Sequence, residues 1–491
     1  MDNRLNAAHL TSVQPGVARP AYTSADQGIG IVHLGLGAFH RSHQAVYTDT
    51  ALAKAGGDWR ILGVSMRSTA TAERLTAQNG LYTLLERGAE GVQPRLIGSL
   101  AEARALSTDR TEILRRLRAP ATRIISLTVT EKAYALAPQG GGLDENDPEI
   151  AQDLATPEAP RSVPGLLVQS LRQRRDSGAG GVTLLSCDNL PENGRVLRRV
   201  VCDFAAHVAP DLCGWIDDHV AFPATMVDRI TPQTTPADCV EAEALTGLAD
   251  AAPVQCEPFS QWVLEEDFPH GRPAWELAGA IFAPDVTPYE HMKLRMLNGS
   301  HSLLAYAGHV SGLDTVNACL ENAPLRACLT RHLEAVSAGL SPLPGMAYHT
   351  YAQALLTRFE NPNIAHATYQ IAMDGSQKMP QRIFAPADEA RIRGAALDSY
   401  AFATAAWLRY LMGETETGTT YPLRDPRETA ISTALKGARE AAAIIAALRR
   451  VSDLLPAPLF DDPVWQKAVQ DALASILQSG VIATAEAVAR G

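Results

Sequence analysis

Residues 30–40 read Gly30-Ile31-Val32-His33-Leu34-Gly35-Leu36-Gly37-Ala38-Phe39-His40: an aliphatic run that breaks at two glycines and leads into a helical stretch through Ala45 to Ala53. Strand, glycine turn and helix in this order suit a dinucleotide. Glycines let the backbone approach a pyrophosphate, and the amides at the helix N-terminus meet its charge. A tight turn wants glycine on steric grounds alone, and His40 stands where the third glycine of the usual pattern belongs. The turn by itself leaves cofactor binding undecided.

Further apolar runs at Trp59 to Val64, Ile124 to Val129 and Val182 to Ser186 alternate with helical stretches up to about Asp285. Runs this continuous predict strands covered on both faces, hence a mostly parallel sheet with crossover helices. From about Pro288 onward, Ala, Leu, Arg and Glu recur at helical spacing, as in Asp398 to Leu411, Arg427 to Arg450 and Asp462 to Ala489. The pattern predicts an α/β domain over 1–285 and a mostly α-helical domain over 286–491. Between them, Pro253 to Pro288 reads as a connector or a sheet extension whose strands the pattern does not place. Gly140 to Gly142 with Asp144 to Pro160 reads as a polar, proline-rich loop at the edge of the first domain.

With 491 residues, 46% of them hydrophobic, the chain can bury a large core, which excludes disorder. A formal net charge of −11 argues against nonspecific binding to nucleic acid or anionic membranes and leaves a small molecule as the expected partner. No apolar run reaches the roughly eighteen residues of a membrane span. The best attempt, Ala441 to Leu448, stops at Arg449 and Arg450. Seven scattered cysteines, none spaced Cys-x-x-Cys, read as reduced thiols, and Cys187 as structural. Met1 to Pro20 has no secretory apolar core, so a cytoplasmic location is expected. Nothing in the sequence indicates an oligomeric state.

Three segments carry candidate chemistry. The second strand ends near Val64, where an acidic residue normally holds the adenosine ribose, but the chain reads Ser65-Met66-Arg67-Ser68. NAD is the expected cofactor, with NADP not excluded. In Pro288 to His301, a helix at about 100° per residue puts Glu290, His301 and Asn298 at roughly 60°, 80° and 140° from Lys293, all on one face. Met292, Met296 and Leu297 would pack the helix elsewhere on the wheel. A lysine beside an amide and an imidazole suits carbonyl–alcohol interconversion: the ammonium gives a proton to the oxygen as hydride reaches carbon, and the amide steadies the alkoxide. In Ser186 to Pro191, Asn189 lies beyond the carboxyl end of a strand, as a second amide for that oxygen or as an ordinary turn residue. Arg41 is a candidate for a phosphate. His40 and His43 could pair on a metal, but no nearby carboxylate or thiol completes a site and no metal is expected.

Ile31 to Tyr47 resembles the N-terminal signature of the long-chain mannitol dehydrogenase family, and Lys293 to Ser302 resembles its catalytic helix. Ser186 to Pro191, Met226 to Pro232 and Asp374 to Pro380 are similar as well, so the likeness spans nearly the whole chain. It implies a Rossmann-type doubly wound N-terminal domain with added strands, a helical C-terminal domain, a site in the cleft between them, and no zinc. It also implies Lys293 as general acid/base, Asn189 and Asn298 as oxyanion-stabilising amides, and His301 as a substrate contact. Asp228 and Lys378 match substrate-binding positions, and Glu290 matches a residue of proton passage. Gly35, Gly37, Phe39 and Arg41, with Ser68 after the second strand, fall to the cofactor. Leu127 to Tyr134 and Gln370 to Arg382 resemble the fructuronate reductases more than the mannitol 2-dehydrogenases, with Gln370 where the latter share an arginine. The implied reaction is D-fructuronate to D-mannonate, with mannitol and fructose as the alternative pair. A uronate brings a carboxylate, for which Lys378 with Arg382, or Lys132, offers a cation.

Overall fold

The apolar runs become strands in the computed structural model, which describes residues 3–137, 142–343, 346–364 and 366–491. In chain order they are β1 Ile29–Leu34, β2 Arg60–Ser65, β3 Tyr82–Gly88, β4 Gly91–Ile97, β5 Leu100–Ala105, β6 Ile124–Leu127, β7 Val182–Ser186, β8 Val220–Ala221, β9 Thr225–Asp228, β10 Val254–Cys256, β11 Gln261–Glu265 and β12 Ile281–Ala283. The chain divides into two units, Met1–Thr287 and Pro288–Gly491, and all twelve strands lie in the first.

Six strands form one sheet in the order β5-β2-β1-β6-β7-β8, and every pairing is parallel. This is the doubly wound Rossmann order. The chain runs outward from β1 to β2 and β5, then returns to lay β6 on the other side of β1. Open sheets of this kind take ligands at that reversal, outside the carboxyl ends of the strands. Side-chain alternation supplies two cores: Val32 and Leu34 of β1 join Leu166, Leu171, Val200 and Phe204 on one face, whereas Ile31 joins Ala45, Leu52 and Trp262 on the other. Helices Val163–Ser177 and Asn193–Val208 cover the first face, and Gln44–Ala55 the second.

Pro253 to Pro288 proves to be a sheet extension. It supplies β10 to the three-stranded sheet β10-β3-β4, and β11 and β12 to the sheet β12-β11-β9. Strands of three to five residues are too short for alternation to register, which is why the pattern did not place them. The expected loop Asp144 to Pro160 needs correction, because Pro148–Ala155 is a helix. Asp147 caps it by accepting from the amides of Glu149 and Ile150, with Pro148 at its first position. Of the glycines Gly140 to Gly142, the first two lie outside the described residues.

The second unit is helical, with no sheet among its described residues. Two expected long helices are each divided. Arg427 to Arg450 becomes Glu428–Ala434 and Ala441–Leu448 around Gly437, and Asp462 to Ala489 becomes Pro463–Ser479 and Val481–Arg490 around Gly480. Both glycines have φ above 80°, which ends a helix at little cost. Asp398–Tyr410 is buried on all sides from Ser399 onward and packs against Gly299–Val310 and Pro463–Ser479. No helix among the described residues is long and apolar enough to cross a membrane.

One buried cation braces the first unit. Arg174 donates to the carbonyls of Leu117, Ala119, Gly180 and Gly181 at 2.8–3.1 Å, tying the end of helix Leu106–Leu117 to the turn that feeds β7. Arg174→Met takes the guanidinium from all four carbonyls, of which Ala119 O keeps the Thr122 amide as a donor. We expect a loss of about 2–4 kcal/mol, read as a lowered thermal midpoint; an unchanged midpoint would show that the brace is dispensable.

Candidate active site

At the end of β1 the chain turns through Gly35 with φ +106°. A Cβ there would lie 2.1 Å from the Thr128 carbonyl oxygen, so only glycine fits. The amides of Gly35 and Leu36 donate to the Val64 carbonyl at 2.8 and 3.0 Å, fixing the turn against β2. Gly37 differs: a Cβ on it would meet only the Gly35 carbonyl oxygen, at 3.8 Å, so this exposed backbone faces open space. The protein's packing does not require glycine at 37, but a closely approaching ligand would, and that fits a dinucleotide. Phe39 stacks on His43, with ring centroids 5.0 Å apart.

One sequence reading changes here. The short helix Ala38–Ser42 precedes Gln44–Ala55, and Arg41 within it is buried. Its Nη1 donates to Ala252 O at 2.5 Å and its Nε to Gly37 O at 3.3 Å, so the guanidinium ties the turn to the segment before β10 instead of reaching outward for a phosphate. His40 and His43 share no metal cluster: His40 stacks on His33 at 3.4 Å, His43 Nε2 meets Gln261 O at 3.0 Å, and no metal-binding group of three forms among the described residues.

Pattern reading missed the polar layer beneath the turn. His33 Nδ1 meets Ser126 Oγ at 2.8 Å, and its Nε2 meets Thr128 Oγ1 at 2.8 Å and Gly35 O at 3.1 Å; Ser126 Oγ donates to Gln44 Oε1. A histidine inside an aliphatic run was the available signal. Burial pushes its pKa down to about 3, so it serves as a neutral link between β1, β6 and the glycine turn.

After β7, Asn189 is exposed and Asp188 before it is buried. Asp188 accepts from the amides of Val129 and Thr130 at 3.2 and 2.8 Å and from Tyr134 Oη at 2.8 Å. It clamps the loop after β6 to the loop that presents Asn189, and holds Thr130 at φ +73°, a strained conformation for a branched residue. Asp228 ends β9 and is buried, while Lys132 is exposed. Cys187 is buried, and its thiol is pushed upward chiefly by that burial.

In the second unit the expected helical wheel needs correction. Thr287–Met292 and Gly299–Val310 are α-helical, but Lys293–Asn298 between them is a π-turn. Bonding from residue i to i+5 brings Asn298 over Lys293, where a regular α-helix would set it well around the axis. Such turns are frequent at functional sites. Met292, Met296 and Leu297 pack the core; Asn298 and His301 are buried, and Lys293 and Glu290 half-buried.

A second π-turn, Pro380–Phe384, packs against the first. Arg382 on it donates from Nη1 to Ser302 Oγ at 3.2 Å and to Asn298 O at 3.4 Å. Gly299 admits this approach, since a Cβ there would already lie 3.1 Å from Arg382 O. Lys378 donates to the carbonyls of Ile371 and Met373 at 3.2 and 2.5 Å, and Gln370 is exposed. His301 packs its ring against Phe359 at 4.6 Å and His366 at 5.1 Å, and its buried Nε2 has no hydrogen-bond partner among the described residues.

Burial, then the charges of His366, Arg358, Arg382 and Lys293, holds His301 well below its ordinary pKa. Burial does the same to His40, and lowers His332 to about 4. With His33, four buried imidazoles stay neutral where an unfolded chain would protonate near 6.5. The unfolded state then binds more protons than the folded one, so stability falls as pH drops from about 6.5 toward 4, by up to about 1.4 kcal/mol per pH unit for each histidine. We expect the thermal midpoint to decline steadily across that range. A flat profile would contradict the neutral assignments.

Residues 29–277 match the family profile described as mannitol dehydrogenase Rossmann domain, and residues 285–476 match the mannitol dehydrogenase C-terminal domain. Over 84% of the chain and 85% of the relative, the sequence is 43% identical to D-mannonate oxidoreductase of Escherichia coli (strain K12). It is 41% identical to the uncharacterized oxidoreductase YeiQ of the same organism, over 97% of the chain and 98% of the relative. The structure of Pseudomonas fluorescens mannitol 2-dehydrogenase in ternary complex with NAD and D-mannitol matches with a TM-score of 0.87 at 37% identity, covering 99% of both chains. Two profiles that together account for most of the sequence, and relatives above 30% identity along nearly all of it, agree on one conclusion: the chain belongs to the mannitol dehydrogenase family.

Proposed function

We propose that the protein is a nicotinamide-dependent oxidoreductase that interconverts D-fructuronate and D-mannonate without a metal. The observation that carries the chemistry is the π-turn, whose backbone bonding brings the buried Asn298 round toward the side of the helix that holds the half-buried Lys293. The Gly35–Gly37 turn would hold the pyrophosphate of the cofactor, with Phe39 and Ser68 beside it. When bound, the nicotinamide donates or accepts the hydride.

The chain's own residues manage the proton and the charge. In reduction, the Lys293 ammonium gives a proton to the substrate oxygen whose carbon receives hydride. The side-chain amides of Asn298 and Asn189 donate to that oxygen as negative charge develops on it. His301, held neutral by its burial, offers Nε2 to a substrate hydroxyl, and Asp228 and Lys378 serve as further substrate contacts. Glu290, three residues before Lys293, passes the proton to solvent. In oxidation the same groups run in reverse, with Lys293 as base.

The uronate reading is supported by the 43% identity to a D-mannonate oxidoreductase and by the segment Gln370 to Arg382. Arg382 bonds to Asn298 O and Ser302 Oγ, and Lys378 to the carbonyls of Ile371 and Met373; Lys378 with Arg382, or the exposed Lys132, offers the cation for the substrate carboxylate. The second reading, mannitol and fructose, is favoured by the match to the Pseudomonas fluorescens enzyme.

Following NADH loss with fructuronate and with fructose separates the two readings: we expect fructuronate to give the higher kcat/KM, and equal or better turnover of fructose discards the uronate assignment. Lys293→Ala should lower kcat by at least about 10²-fold, the usual worth of a positioned acid or base, with NADH affinity held within a few-fold. Retention of most activity would end the proton-transfer assignment.

A further inference from the structure

The corner between β2 and helix Ala70–Ala77 has a chemistry of its own. Its place is fixed by two short hydrogen bonds already described: the Val64 carbonyl, one residue before the end of β2, accepts from the amides of Gly35 and Leu36. Whatever nucleotide lies on the glycine turn therefore brings its adenosine ribose to residues 65–68.

No carboxylate waits there. From Ser65 to Ala72 the chain has no acidic residue, and the first, Glu73, is exposed one turn into the helix. The carboxylates of the neighbouring strand are engaged elsewhere: Glu102 pairs with Arg104 at 3.2 Å and also with Arg116, and Asp109 pairs with Arg104 at 3.3 Å. Arg67 and Ser68, by contrast, are exposed, and Arg67 makes no hydrogen bond or ion pair among the described residues. The corner that carries them is held in shape: Ser65 Oγ donates to Ser68 O at 2.5 Å, and Ser68 Oγ accepts from the Ala70 amide at 3.2 Å.

An acid at this corner would accept the 2′-hydroxyl hydrogen of NAD and repel a phosphate at the same atom. An unpaired guanidinium does the reverse, because its planar donors match phosphate oxygens. We propose that the corner after β2 is a 2′-phosphate site, with Arg67 as the counter-charge, so that the enzyme accepts NADP(H) as well as NAD(H). The inference rests on the dinucleotide reading of the glycine turn. The guanidinium stands in solvent, so its contribution is modest and screened by salt.

The test is calorimetric titration of the full-length protein at low ionic strength with adenosine 2′,5′-bisphosphate and with 5′-AMP, which needs no turnover. We expect the bisphosphate to bind at least about 5-fold tighter than AMP, a gap that Arg67→Gln removes and Arg67→Asp inverts while AMP affinity stays constant. Added salt should narrow the gap. Equal affinities in the unaltered protein, or a gap that survives Arg67→Gln, overturn the 2′-phosphate site and leave the dinucleotide reading intact. If neither nucleotide nor NADH binds, the dinucleotide reading itself falls, and this inference with it.

Discussion

At Gly35 the backbone passes the Thr128 carbonyl so closely that no side chain fits, and it does so at a dihedral angle only glycine adopts freely. Much of the first unit is arranged around that approach. The turn is bonded to β2 through the Val64 carbonyl and to β6 through His33 and Thr128, so both neighbours of β1 converge on one point. That point is where the sheet reverses its strand order, and the open backbone of Gly37 beyond it is the natural seat for a phosphate. A buried histidine in the central strand would be costly without partners, and here it is satisfied on both ring nitrogens.

The second unit solves a different geometric problem. An unbroken α-helix sets residues five apart well around its axis, yet the proposed chemistry asks an amine and an amide to serve the same oxygen. The wider winding of the π-turn brings the two residues nearer to one side of the helix. A wider turn packs its backbone less regularly, and here a second one leans against it, with Arg382 bonded to the Asn298 carbonyl and the Ser302 hydroxyl and with Gly299 admitting the approach.

The parallel sheet was legible because its central strands are short aliphatic runs covered on both faces; Ile29–Leu34 and Val182–Ser186 could hardly be read otherwise. The helical second half was legible from spacing alone. What stayed hidden has physical reasons. Three-residue strands such as β10 and β12 owe their existence to partners distant in sequence. The π-turn differs from an α-turn by one residue of bonding, which composition does not register. Arg41 looked like a free cation because nothing local shows that Ala252, more than two hundred residues on, supplies its acceptor. Asp188 passed unremarked beside Asn189, although it is the acid that holds the loop in place.

The π-turn also lets its segment carry one residue more than an α-helix would over the same turn. Because bonding to i+5 in this turn does what bonding to i+4 does in an α-helix, deleting one residue between Lys293 and Asn298 would restore ordinary winding and leave the faces on either side nearly in place. His301, Leu303 and Leu304 would keep the faces they now bury, and Glu290 would stay put. Loss of a single residue within this turn is thus the change that removes the wider winding while sparing the packing on either side of it.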